Sequence, residues 1–114
     1  MWLFTSIGFY SIVERAGAIC VRARSRKDIE AFRTLMPGCG AINATRKTDY
    51  PFRVMMSKAD FRQQFYRLAE LVDYPNFKSK VAQTNPARAQ LYAPVWAHLM
   101  KIEEEEHGPR RRSA

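Results

Sequence analysis

The sequence predicts an α+β fold: a two-layer sandwich whose four-stranded antiparallel sheet, built in the order ββαββα, has helices packed on it and a C-terminal helical extension. Three observations predict it. Residues 18–25, Ala-Ile-Cys-Val-Arg-Ala-Arg-Ser, alternate with the period of a strand, so Ile19, Val21 and Ala23 point one way and Cys20, Arg22 and Arg24 the other. The stretch 2–13 is rich in aromatic and β-branched residues, which suit a pleated, half-buried surface. Two Ser-x-x-Asp sequences, Ser25-Arg-Lys-Asp28 and Ser57-Lys-Ala-Asp60, each precede an apolar run at helical spacing.

Residues 2–13 read as one strand, with Gly8 marking a bulge or bend. A turn at 14–17 returns the chain as the strand at 18–25, and the two form a hairpin. Ser25 caps a helix, Asp28 favours its first turn, and Ile29, Phe32, Leu35 and Met36 make one buried stripe before Pro37-Gly38 ends it. A second hairpin joins 41–46 to 52–57 through a loop at 47–51, in which Pro51 holds Tyr50 extended. Phe52, Val54 and Met56 share one face of its second strand, Arg53 and Met55 the other.

From Ser57 a continuous helix is predicted, with Phe61, Phe65, Leu68, Leu71 and Val72 on its buried stripe, stopping near Asp73-Tyr74 before Pro75. A new helix covers 76–83, and Asn85-Pro86 starts the last one, kinked at Pro94 and burying Leu91, Tyr92, Val95, Trp96 and Leu99. Residues 1–102 read as a single domain, and 103–114 as an acidic helix end followed by a flexible basic tail.

Lys and Arg number 19 against 11 Asp and Glu, a net charge of +8. A basic body attracts anionic partners such as nucleic acid, phosphorylated ligands or acidic protein surfaces. Cys20 and Cys39 make neither a disulfide framework nor a zinc pattern and read as free thiols. The apolar N-terminus falls short of the ~20 residues of a membrane span and lacks a signal-peptide pattern, so no membrane partner and a cytoplasmic location are expected.

Met1-Trp-Leu-Phe-Thr, Gly8-Phe9-Tyr-Ser11, Val21-Arg-Ala-Arg24, Thr48-Asp-Tyr-Pro-Phe-Arg53, Asp73-Tyr-Pro-Asn-Phe-Lys78 and Val95-Trp96 form a motif set spread over nearly the whole chain up to about Ile102. The set resembles a family of small uncharacterised bacterial and phage proteins. The resemblance implies no defined chemistry; it implies an accessory role, regulatory or anti-defence.

The candidate binding residues fall in two groups. Arg22 and Arg24 share a strand face, Arg53 joins them from another strand, and Tyr10 joins if the register of the first strand allows. Cations beside an aromatic on an open sheet follow the logic of single-strand nucleic-acid platforms, and arginine forks pair two oxygens at once. The alternative is that the last helix covers this face and that the arginines pair with Asp49 or Asp73. The second group is the loop residues Asp49, Tyr50, Asp73, Tyr74, Asn76 and Lys78, which serve equally as helix caps and loop anchors.

No catalytic or metal site is expected. Asp49 with Asp73, or Cys39 with His98, make no recognisable catalytic spacing, and phosphate-loop, dinucleotide and zinc motifs are lacking. The reading is a small non-enzymatic binding or regulatory protein without a cofactor, acting through its basic surface on a protein or nucleoprotein partner with an acidic surface. Direct binding of single-stranded DNA or RNA is the alternative, and a small enzyme acting on a phosphorylated ligand the second. A homodimer through the C-terminal helix fits Tyr92, Trp96 and Met100.

Overall fold

The computed structural model of the chain describes residues 1–108. It divides into two compact units, Met1–Asp73 and Tyr74–Ala114. The expected basic tail lies outside the described residues.

The first unit is α+β, with one open antiparallel sheet. Its strands are β1 (Trp2–Phe4), β2 (Phe9–Arg15), β3 (Ala18–Ala23), β4 (Asn43–Ala44) and β5 (Phe52–Met56), in the order β1-β2-β3-β5-β4. The sheet has five strands where four were expected, because residues 2–13 fold back on themselves. Phe4 pairs with Phe9, and residues 5–8 form a loop closed by the Thr5 amide and hydroxyl, which donate to the Gly8 carbonyl at 3.0 and 2.7 Å. The helix α1 (Arg26–Leu35) packs against β2, β3 and β5 on one face of this sheet.

Both serine caps form as read. The Ser25 hydroxyl accepts from the Asp28 amide at 3.1 Å, and Ser57 accepts from the Asp60 amide at 3.0 Å to start α2 (Lys58–Gln64). Asp28 also has a role beyond the helix dipole. Its buried carboxylate accepts from the Phe9 amide at 3.0 Å, and its carbonyl accepts from the Tyr10 hydroxyl at 2.7 Å, so the start of α1 is tied to the start of β2.

The core lies between α1 and the sheet. Ile19, Val21 and Ala23 of β3 meet Val54 and Met56 of β5, and Ile29, Phe32 and Met36 descend from α1. Burying each such side chain contributes roughly 1.5–3 kcal/mol. Tyr10 belongs here, fully buried with its ring 5.0 Å from that of Phe32, and not on the arginine face.

The β2–β3 hairpin turns on Ala16 and Gly17, since Arg15 pairs directly with Ala18. Both turn residues have positive φ, 50° and 79°, as a two-residue turn matching the strand twist requires. Alanine is strained there, so Ala16→Asn should raise stability by about 0.5–1 kcal/mol. Urea unfolding midpoints check this, with Ala16→Val as the variant expected to move the other way.

The helix predicted from Ser57 is broken into α2 and α3 (Tyr66–Ala69). Beyond Phe65 the backbone bonds shorten to three-residue steps, Leu68 to Phe65 and Leu71 to Leu68, the tighter winding of helix ends. Phe65 and Val72, expected on the buried stripe, are exposed, while Phe61, Leu68 and Leu71 are half-buried.

The second unit holds α4 (Phe77–Thr84), α5 (Pro86–Leu99) and α6 (Ile102–His107). Asn76 caps α4 by accepting from the Ser79 amide at 2.9 Å, and Asn85 caps α5 with Pro86 in its first turn. Phe77 and Tyr92 stack at 6.0 Å between α4 and α5. The expected buried side of α5 holds only in part: Tyr92 and Val95 are half-buried, but Leu91, Trp96 and Leu99 are exposed.

Candidate functional site

The pairing register sets what the second face of the sheet displays, the face opposite α1. Trp2 pairs with Ser11, Ser11 with Arg22, Arg22 with Arg53, and Arg53 with Asn43. Directly opposed residues project to the same side. One row therefore crosses all five strands and reads Trp2, Ser11, Arg22, Arg53, Asn43. Phe4 and Phe9 flank it on one side of the sheet, and Arg24 follows just beyond β3.

Tyr50 organises the guanidinium groups. The Arg22 and Arg24 guanidinium carbons lie 4.6 and 4.9 Å from the centroid of its ring, and the Arg53 Nε donates to its carbonyl at 3.3 Å. Cations are attracted to a ring face by its quadrupole. Tyr50 is held for this task. Pro51 follows it, the Pro51 carbonyl accepts from the Thr45 amide at 2.7 Å, and Tyr50 itself is only 8% exposed.

Among the described residues no carboxylate lies within 4.0 Å of Arg22, Arg24 or Arg53; ion pairs form elsewhere, between Arg26 and Glu30 and between Lys58 and Glu14. The expected alternative of pairing with Asp49 or Asp73 is thus not realised. Arg24 is exposed, and Arg22 and Arg53 are half-buried. Arg22 donates from Nη2 to the Ser11 hydroxyl at 2.6 Å, but its Nε is sealed from solvent with no hydrogen-bond partner. An orphaned donor costs about 1–3 kcal/mol, and opposed like charges add to that. The face is closed at Ser11 and Cys20 and open at Trp2 and Arg24.

The other loop residues scatter among separate tasks. Asp49 is exposed in the β4–β5 loop, and Asp73 is exposed at the end of the first unit. In the second unit Tyr74 packs on Phe77 at 5.8 Å, Asn76 caps α4, and the Lys78 ammonium sits 3.8 Å from the Trp96 ring centroid. Tyr74, Asn76 and Lys78 thus lie in the second unit, whereas Arg22, Arg24, Tyr50 and Arg53 lie in the first.

Trp2, Phe4, Phe9, Ser11 and Asn43 were absent from the sequence-derived site. The missing signal was parity. A continuous strand over 2–13 would put Trp2, Phe4 and Tyr10 on one face; the loop at 5–8 instead sets Trp2 and Phe4 beside Ser11 and Phe9 and sends Tyr10 inward. Gly8 between Ile7 and Phe9 was the available clue.

A groove of about 480 Å³ runs beside α1, lined in part by Arg26, Glu30, Arg33 and Cys39. Burial pushes the Cys39 thiol up to about 11, against a smaller opposing pull from Arg33. Cys39 therefore carries about a hundredfold less thiolate at pH 8 than an ordinary cysteine and should be alkylated correspondingly slowly until the chain is unfolded. Timed iodoacetamide labelling read by mass spectrometry measures this. Among the described residues no group of three His, Cys, Asp or Glu is placed to hold a metal ion, and no helix is long and apolar enough to cross a membrane.

No protein-family model, curated protein or solved structure matches this chain.

Proposed function

We propose that this chain is a non-enzymatic binding protein that engages an anionic macromolecule through Arg22, Arg24 and Arg53. The observation that carries the reading is the set of three guanidinium groups, gathered on Tyr50 and left without a carboxylate partner. The contacts with Tyr50 and Ser11 hold the cluster together, while its opposed charges and its orphaned donor work against folding. An anionic partner supplies the counter-charge that the guanidinium groups lack, and arginine forks take its oxygens two at a time. An accessory or regulatory role, of the kind the family resemblance implies, is part of the same proposal.

Retention on immobilised heparin tests it. Arg24→Glu should elute at clearly lower salt than the wild type, and Lys27→Glu, an equal charge change on α1 behind the other face of the sheet, should elute closer to the wild type. Equal elution of both variants removes the reading.

Self-association is proposed separately for α5, because Leu91 is 69% exposed and Trp96 and Leu99 about half exposed. Sedimentation equilibrium over a hundredfold concentration range decides it: a mass of 13.2 kDa throughout ends the dimer.

A further inference from the structure

We infer that the anionic partner is a single strand of nucleic acid, whose bases stack on the Trp2 end of the cross-sheet row while its phosphates meet Arg22, Arg53 and Arg24. The inference rests on the binding role proposed above and names the partner. Two independent features of one surface carry it.

The first is charge. Residues 1–73 hold twelve Lys and Arg against seven Asp and Glu, and among the described residues Arg22 and Arg53 of the row, with Arg24 beside it, have no carboxylate within 4.0 Å. The second is an aromatic group that the arginines alone do not explain. Trp2 is 68% exposed, the Phe9 ring meets it edge-on at 6.2 Å, and Phe9 stacks on Phe4 at 4.6 Å. Trp2 lies two strands from Arg22 in the same row, about 10 Å away at ordinary strand spacing.

An indole held out on a sheet, beside a row of guanidinium groups, offers a flat apolar face and charge together. That combination fits an unpaired base and its backbone. A duplex hides the faces of its bases and leaves the indole unused, and an acidic peptide needs the arginines but not the stacked aromatics. Ser11 and Asn43 lie in the same row, and the exposed Asn43 adds an amide able to meet a base edge.

The test uses the full chain carrying Trp96→Phe, which leaves Trp2 as the sole indole. Its fluorescence is followed at 50 mM salt on titration with oligo(dT), oligo(U), a duplex of equal length and a poly-glutamate peptide. Saturable quenching by oligo(dT) or oligo(U) is expected, with affinity at least tenfold above that for the duplex. In anisotropy titrations of end-labelled oligo(dT), which need no indole, Trp2→Ala should weaken single-strand binding about 5- to 100-fold, and Trp2→Phe should restore most of it. Heparin retention that depends on Arg24 without Trp2 quenching would overturn this inference and leave the binding role standing. Tighter binding of poly-glutamate than of either strand, indifferent to Trp2, would reassign the partner to an acidic protein. Loss of Arg24-dependent heparin retention would remove both.

Discussion

Gly8→Ala is expected to lower the melting temperature by about 10–15 °C, from a loss of about 2–3 kcal/mol. A Cβ at position 8 would sit 2.6 Å from the Asp28 carboxyl carbon and 2.7 Å from the Tyr10 hydroxyl oxygen. Neither atom is the free end of a flexible chain. Asp28 is fixed by the Phe9 amide, and the Tyr10 hydroxyl donates to the Asp28 carbonyl deep in the fold. Relief therefore means moving the start of α1 away from β2 or opening the loop that Thr5 closes on the Gly8 carbonyl. Thermal unfolding followed by circular dichroism reads the effect, and a melting temperature within two degrees of the wild type would contradict this packing.

Arg53→Glu is expected to move stability and binding in opposite directions. Arg22 and Arg53 face each other directly across β3 and β5, so the substitution replaces a repulsive pair with an attractive one. The glutamate can also take an N–H that the Arg22 guanidinium now leaves unused. Stability should rise by about 0.5–1 kcal/mol, a few degrees in melting temperature. Affinity for a polyanion should fall at least tenfold, because one cation is lost and a second is neutralised by its new neighbour. Destabilisation with binding retained would show that Arg53 belongs to the scaffold and not to a binding surface.

The alternation at 18–25 and the two serine caps were legible because each is a local property: strand parity separates Ile19 from Arg22, and a hydroxyl three residues ahead of an amide needs nothing else. Arg53 was placed with Arg22 from parity within two separate strands, and the register brings them face to face. Non-local features escaped. Whether 2–13 runs on or doubles back depends on Asp28, a residue of another element, receiving the Phe9 amide. That one reversal decided whether Tyr10 or Trp2 would stand beside the arginines. Tyr50 looked like a loop anchor of uncertain purpose, because its two guanidinium partners are distant in sequence. The break after Gln64 likewise left no mark in the periodicity, since Phe65, Leu68 and Leu71 keep helical spacing across it.

The account depends most on three cations being available to an outside anion. The salt dependence of DNA binding measures that directly, since each phosphate contact contributes about 0.7 to the slope of log K against log salt for a single strand. Arg24→Gln and Arg53→Gln should each flatten the slope by about that amount, their combination by about twice it, and Lys27→Gln not at all. Slopes identical in the wild type and all four variants would mean that these guanidinium groups meet no phosphate and that the surface built on Tyr50 does not bind nucleic acid.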